Sequence, residues 1–317
     1  MGRYAARRII LTLPTFLGVL IVVFTAVRFI PGDVVSQILD GSYRGDDPEF
    51  RAEIKARYGL DQNVVTQFVG WSADVARGDL GRSITSGRPI SGELKARLPA
   101  TAQLGSMALL VSLAVGLPVG VISAVRQDSL LDYAFRGFAI LMLSIPSFWL
   151  ALMAIVYGFV LFGWTPPLRY YSLAEDPWAN LQQLWVPAII MGTGLAGALM
   201  RFTRSAMLEV LRQDYVRTAR AKGLPAMAVM RGHALRNALI PIITVIGIQL
   251  PVLVGGTVIL ERIFSIPGMG NLLITAIVGT DYPVIQAIVI IAAGMVLLSN
   301  LLVDLLYPLV DPRVSLE

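Results

Sequence analysis

IILTLPTFLGVLIVVFTAV, residues 9–27, is a run of nineteen residues without a charge. Wound as a helix it covers about 28 Å, close to the ~30 Å hydrocarbon core of a bilayer. A secretory leader has a shorter apolar stretch, about 7–15 residues, ending at a small-residue cleavage site. This run has no clear site of that kind, so it is read as a first membrane span.

Working outward, uncharged runs recur at 98–125, 137–168, 177–200, 237–260 and 282–303. With 56% hydrophobic and 15% charged residues, the chain groups with integral membrane proteins rather than large soluble domains. The expectation is an all-α membrane protein of six transmembrane helices. The uncharged run 263–280 is broken by Pro267, Gly268 and Gly270, and reads as a turn and a short surface or re-entrant helix. Small residues at Gly116 and Gly120, and at Gly192, Gly194 and Gly197, predict close helix approach. Pro118, Pro146 and Pro187 are expected to kink or end helices.

Six spans put both termini on one side. Arg3, Arg7, Arg8, Arg126, Arg136 and eight Lys/Arg within 201–236 make that side cytoplasmic, whereas the two short opposite loops hold only Arg169 and Arg262. The long loop after the first span, 31–97, is then extracytoplasmic. Two short amphipathic helices are expected there. Asp47-Pro48-Glu49 reads as a helix start, and Val64, Val65, Phe68, Val69 and Val75 recur at helical spacing. GDLGRSITSGRP (78–89) is a turn-rich connection, and Leu98-Pro99-Ala100 leads into span two. Three regions follow: 1–97, the first span and its loop; 98–310, a five-span core with a cytoplasmic loop at 201–240; and 311–317, a cytoplasmic tail.

The net charge of +5 would suit a nucleic-acid partner in a soluble protein, but in a membrane protein it sets orientation. No nucleic acid is expected. No cysteine is present, which removes disulfides and thiolate chemistry, and a single histidine, His233, excludes a multi-histidine metal site. No G-x-x-x-x-G-K-[ST] loop occurs, because the three lysines follow Ile54, Leu94 and Ala221. If ATP drives this protein, another polypeptide hydrolyses it. No acid or base sits mid-span, against an ion-coupled carrier. Asp304 lies near a span end, within reach of the interface. His233, in a cytoplasmic segment, is a poor base for an intramembrane hydrolase. Gln249 and Asn300 are the polar residues within spans, read first as interhelical hydrogen-bonders and second as path-lining contacts.

DYVRTARAKGLPAMAVMRGHALRNALIP (214–241) gathers Arg217, Arg220, Lys222, Arg231 and Arg236 with Asp214 as its only acid. Leu208, Leu211 and Tyr215 add an apolar stripe, and Gly223-Leu224-Pro225 predicts a helix–break–helix. Lipid anchoring explains the charge but not the stripe or the break. Docking of a soluble partner explains all three.

ARAKG (219–223) with HALRNALIP (233–241) resembles the cytoplasmic coupling loop, the "EAA" loop, of ABC importer permeases of the dipeptide, oligopeptide and nickel family. The resemblance extends to RRIILTLPTFLGVLIVVFTAVRFIPGD (7–33), YGLDQNVVTQFVGW (58–71), GDLGRSITSGRPI (78–90), ARLPAT (96–101), SIPSFWLAL (144–152), ERIFSIPGMG (261–270) and DPR (311–313). It implies the six-helix type I importer permease fold and the first of two paralogous permease subunits. It also implies a multi-pass inner-membrane protein acting with a sister permease, two ATPases that bind ATP and Mg, and an extracytoplasmic substrate-binding protein. This chain would hold no cofactor or metal and be non-catalytic, forming half of an alternating-access path for dipeptides or oligopeptides. Nickel or glutathione are alternatives. Coupling falls to Asp214, Tyr215, Arg217, Ala219, Arg220, Lys222 and Gly223, with Ala219 a small contact admitting a partner surface and Gly223 a turn. The family's leading Glu-Ala-Ala falls on Arg217, Thr218 and Ala219, so only the last alanine is kept and the glutamate's role does not carry over.

Overall fold

The computed structural model describes residues 2–28, 47–49, 61–167 and 169–310. In chain order the helices are α1 (Gly2–Arg28), α2 (Val64–Ala76), α3 (Ile90–Val125), α4 (Leu130–Ser144), α5 (Ser147–Phe162), α6 (Pro177–Leu211), α7 (Asp214–Ala221) and α8 (Ala226–Val229). A π-helical turn (Met230–Leu235) then leads into α9 (Arg236–Ile263), followed by α10 (Met269–Val278) and α11 (Tyr282–Val310). Four helices, α1, α3, α6 and α11, are long and apolar enough to cross a bilayer alone, and two bent pairs bring the count to six when each is taken as one span.

The third span is not the single helix expected from 137–168. Its two halves, α4 and α5, meet at 94°. Pro146 has no N–H for an intrahelical bond, and its ring forces the preceding residue out of helical geometry: Ile145 sits at φ −87°, ψ 123°. Pro118 and Pro187 lie within unbroken helices. The second span begins earlier than expected, at Ile90, with Pro99 inside α3 rather than ahead of it. The fourth continues past residue 200 to Leu211. It starts where sequence placed it: Pro177 takes the first helical position and Asp176 accepts hydrogen bonds from the amides of Trp178 and Ala179.

The α3–α6 pair is the spine of the bundle. An added Cβ on Gly120 would lie 2.7 Å from Thr203 Cβ, and one on Gly192 would lie 2.6 Å from the Ala108 carbonyl oxygen. Only glycine permits this approach, and in lipid such close packing is what holds helices together. Around the spine, Leu104, Leu184, Leu260, Phe264 and Ile266 are fully buried in one cluster, and Leu199, Met207, Ala238 and Ile242 in another nearer the termini. α1 packs beside α11, where Arg8 and Asp304 pair at 3.2 Å, so the acid at the sixth span's end is held by an ion pair.

Of the loop after α1, Asp47 does accept from the amide of Glu49, at 3.0 Å; residues 50–60 lie outside the described part. α2 forms with Asn63 as its cap, accepting from Val65 N at 2.9 Å. Its packed face is Phe68, Trp71 and Val75. Phe24 of α1 lies 5.2 Å from Phe68 and 5.4 Å from Trp71, centroid to centroid. Val64, Val65 and Val69, expected on the same stripe, are exposed instead. The run 263–280 forms a turn and the ten-residue α10, which buries Met269, Gly270, Leu272 and Ala276.

Candidate functional site

The basic segment folds at the end of the bundle where α1 begins and α11 ends. α7 follows α6 after two residues. Its first turn is closed by Gln213, whose carbonyl accepts from Val216 N and Arg217 N, and Thr218 donates to the Asp214 carbonyl at 2.9 Å. Gly223 ends it at φ +78°, a left-handed conformation that costs glycine nothing and an L side chain about 1 kcal/mol or more. Pro225 then opens α8 by accepting from the amides of Ala228 and Val229. The helix–break–helix is therefore present, with its break at Gly223.

One edge of α7 is apolar and buried: Val216 and Ala219 pack with Val229 of α8 and with Val210 and Leu211 of α6. The opposite edge faces outward, with Asp214, Arg217 and Lys222 exposed. Arg217 and Asp214 pair at 3.6 Å with both side chains mostly in solvent, a contact worth well under about 1 kcal/mol. These charges are left available to a partner. Tyr215 is half-exposed, and its hydroxyl accepts from the side-chain amide of Asn237, at the foot of α9, at 3.0 Å. The side chains of Arg220, Arg231, His233 and Arg236 lie outside the described part.

Two placements differ from the sequence reading. Ala219 is 7% exposed and faces its own chain, so its small size serves the seating of α7 on α8. Leu208 and Leu211 are partly buried as expected, but Val216, not Tyr215, completes the apolar stripe. Within the spans, Gln249 receives a hydrogen bond from Ser112 at 3.2 Å and donates to the Leu195 carbonyl at 2.9 Å, tying α9 to α3 and α6. Asn300 is exposed on α11. The two are not brought together.

Three polar clusters escaped the sequence reading. At the terminal end, Asp132 is fully buried and takes both arms of Arg204, Nε to Oδ1 at 2.8 Å and Nη2 to Oδ2 at 2.7 Å. Ser123 Oγ and Asp128 N also donate to it. The Ser129-x-x-Asp132 spacing of a capping box was the available signal, and Ser129 Oγ does accept from Asp132 N.

At the other end, the buried carboxylate of Glu261 accepts from Thr101 Oγ1 at 2.7 Å and Asn271 N at 3.0 Å. Thr101 in turn accepts from Met269 N. Glu261 thus caps the start of α10, where a negative charge meets the positive end of the helix dipole. Past the other end of α10, Asp281 fastens the 83–85 turn through Thr85 Oγ1 at 2.8 Å, the amides of Ile84 and Thr85, and Ser83 Oγ. Burial alone would raise the Asp281 carboxyl, but these hydrogen bonds outweigh it and hold it below the ordinary carboxylate value.

The sequence profile of the family described as binding-protein-dependent transport system inner membrane component matches residues 116–316. The chain belongs to that family. Its full length also aligns with curated relatives. It is 41% identical to the dipeptide transport system permease protein DppB of Escherichia coli K12, and to the di/tripeptide permease DppB of Pseudomonas aeruginosa, over 99% of each chain in both cases. It is 39% identical to a peptide transport system permease protein of Brucella suis, described there as putative, over 98% of each. Among solved structures, an inward-facing methionine ABC transporter, MetNI, superposes with TM-score 0.56 at 21% identity, over 69% of this chain and 96% of that one. An amino acid ABC transporter gives 0.53 at 15%, over 68% and 94%. These likenesses are of fold: this permease has the helical architecture of ABC importer membrane subunits.

Proposed function

We propose that this permease is the first of two paralogous membrane subunits of an ATP-driven importer of dipeptides and short oligopeptides. The observation that supports this reading most is near-end-to-end identity to dipeptide permeases, and α7, basic and exposed on one edge and anchored on the other, is the element that fits it. In this reading the face carrying both termini is cytoplasmic and α7 seats on a partner ATPase, with Asp214, Arg217 and Lys222 outward. A sister permease completes the path, and a substrate-binding protein delivers peptide to the opposite face. The chain itself holds neither ATP nor Mg and hydrolyses nothing. Closure of the ATPase pair moves α7, and the spans rearrange in alternating access.

The test is reconstitution of the permease with its sister, two ATPases and binding protein in proteoliposomes. ATP-dependent accumulation of a labelled dipeptide is expected, and nickel or glutathione accumulating in its place would refute the peptide assignment. Gly223→Val should lower dipeptide uptake with the complex still assembled. Removing charge at Arg217 and Lys222 tests the competing lipid anchor: normal uptake with Gly223→Val and loss only on charge removal would defeat the coupling reading.

A further inference from the structure

We infer that the hydrogen bond between Tyr215 and Asn237 is the direct mechanical link from α7 to the fifth span, making both of them positioning residues for coupling. This deepens the proposed function and rests on α7 being the element that the ATPases move.

Along the chain, the route from α7 to α9 crosses two soft points. The first is Gly223 at φ +78°, where an added Cβ would meet nothing within 4 Å, so the glycine itself sits in open space. The second is the π-helical turn Met230–Leu235, whose wider winding interrupts the regular hydrogen-bond ladder just ahead of α9. A displacement of α7 sent only through these would be absorbed by them. The side-chain amide of Asn237 bypasses both: it sits on the second residue of α9 and donates to Tyr215 on the second residue of α7, closing 22 residues of chain with one bond of 3.0 Å.

On its other side α7 follows α6 after Arg212 and Gln213, with Gln213 O accepting from Val216 N and Arg217 N. The apolar contacts of Val216 and Ala219 hold α7 to α8 and α6, and among the described residues their cluster includes none from α9. One rigid input therefore reaches the fourth span through the chain and the fifth directly through Tyr215, besides the packing of α9 on α6. HALRNALIP thus includes a residue, Asn237, whose part in coupling is to receive that movement.

The experiment uses the complete transporter in proteoliposomes and reads peptide taken up per ATP hydrolysed. Tyr215→Phe keeps the ring and removes the accepting oxygen; Asn237→Leu removes the donor at similar size. Each should lower that ratio by roughly two- to tenfold, the worth of one neutral hydrogen bond. The double variant should be no worse than either single one, because a shared bond is lost only once. A role confined to folding would change yield or melting temperature and leave the ratio alone. If Gly223→Val lowers the ratio while Tyr215→Phe and Asn237→Leu leave it unchanged, the link is overturned and the coupling element stands. If none of the three changes it, the coupling role of α7 falls as well. Losses that multiply in the double variant would also overturn the link.

Discussion

Arg204 grips both carboxylate oxygens of Asp132, at 2.8 and 2.7 Å, and joins the extension of α6 to the start of α4 beneath the second span. Asp132 has no exposed surface, so removing the guanidinium strands a buried charge. Arg204→Met should destabilise the folded permease by about 3–5 kcal/mol, whereas Arg204→Met with Asp132→Leu should cost much less. Thermal unfolding in detergent checks this, and equal losses in the single and double variants would contradict it.

Asp281 gives a pH prediction. Its folded value lies below its unfolded value of about 3.9, so its contribution to stability is fully present above that pH and is lost as the pH falls through the depressed folded value. The 83–85 turn should stay fastened throughout the neutral and mildly acidic range and loosen only below about pH 4. Asp281→Asn should loosen it at every pH and flatten the dependence. Hydrogen exchange at the amides of Ile84 and Thr85 is the readout, and an unchanged profile in the variant would count against the latch.

Gly268 leaves room for the Glu261 carboxylate. An added Cβ there would lie 2.3 Å from Glu261 Cδ, although its backbone, at φ −94°, suits any residue. Gly268→Ala should therefore destabilise through overpacking by about 1–3 kcal/mol. Glu261→Gln, which turns an acceptor into a donor facing donors, should cost about 1–3 kcal/mol. The pair should be non-additive, because both disturb the same cap. Simple additivity in unfolding measurements would show that the two act separately.

Orientation is testable because the chain has no cysteine. Ser86 and Ser205 are exposed at opposite ends of the bundle. In intact cells Ser86→Cys should react with a membrane-impermeant thiol reagent and Ser205→Cys should not, until the membrane is permeabilised. The reverse pattern would invert the topology.

Sequence alone determined much of this protein. Uncharged runs of bilayer length impose six crossings, because an unpaired backbone in lipid is intolerable and a helix satisfies it internally. The excess of arginine at one set of loops fixes the expected orientation. Local rules placed the turn at Gly223 and the short α10 after its Pro-Gly break, since prolines and glycines act on their own neighbourhood. Only the tertiary structure decided the rest. Whether Pro146 kinks a helix or breaks it at 94° depends on what surrounds the freed backbone. Which side of α7 faces inward was settled by Val229, sequentially remote from Val216, so Ala219 changed sides. Arg204 meets Asp132 across 72 positions, Glu261 meets Thr101 across 160 and Asp281 meets Ser83 across 198. A charged residue near a span end is equally at home in water or in a buried cluster, and only the partner that packing brings to it decides which.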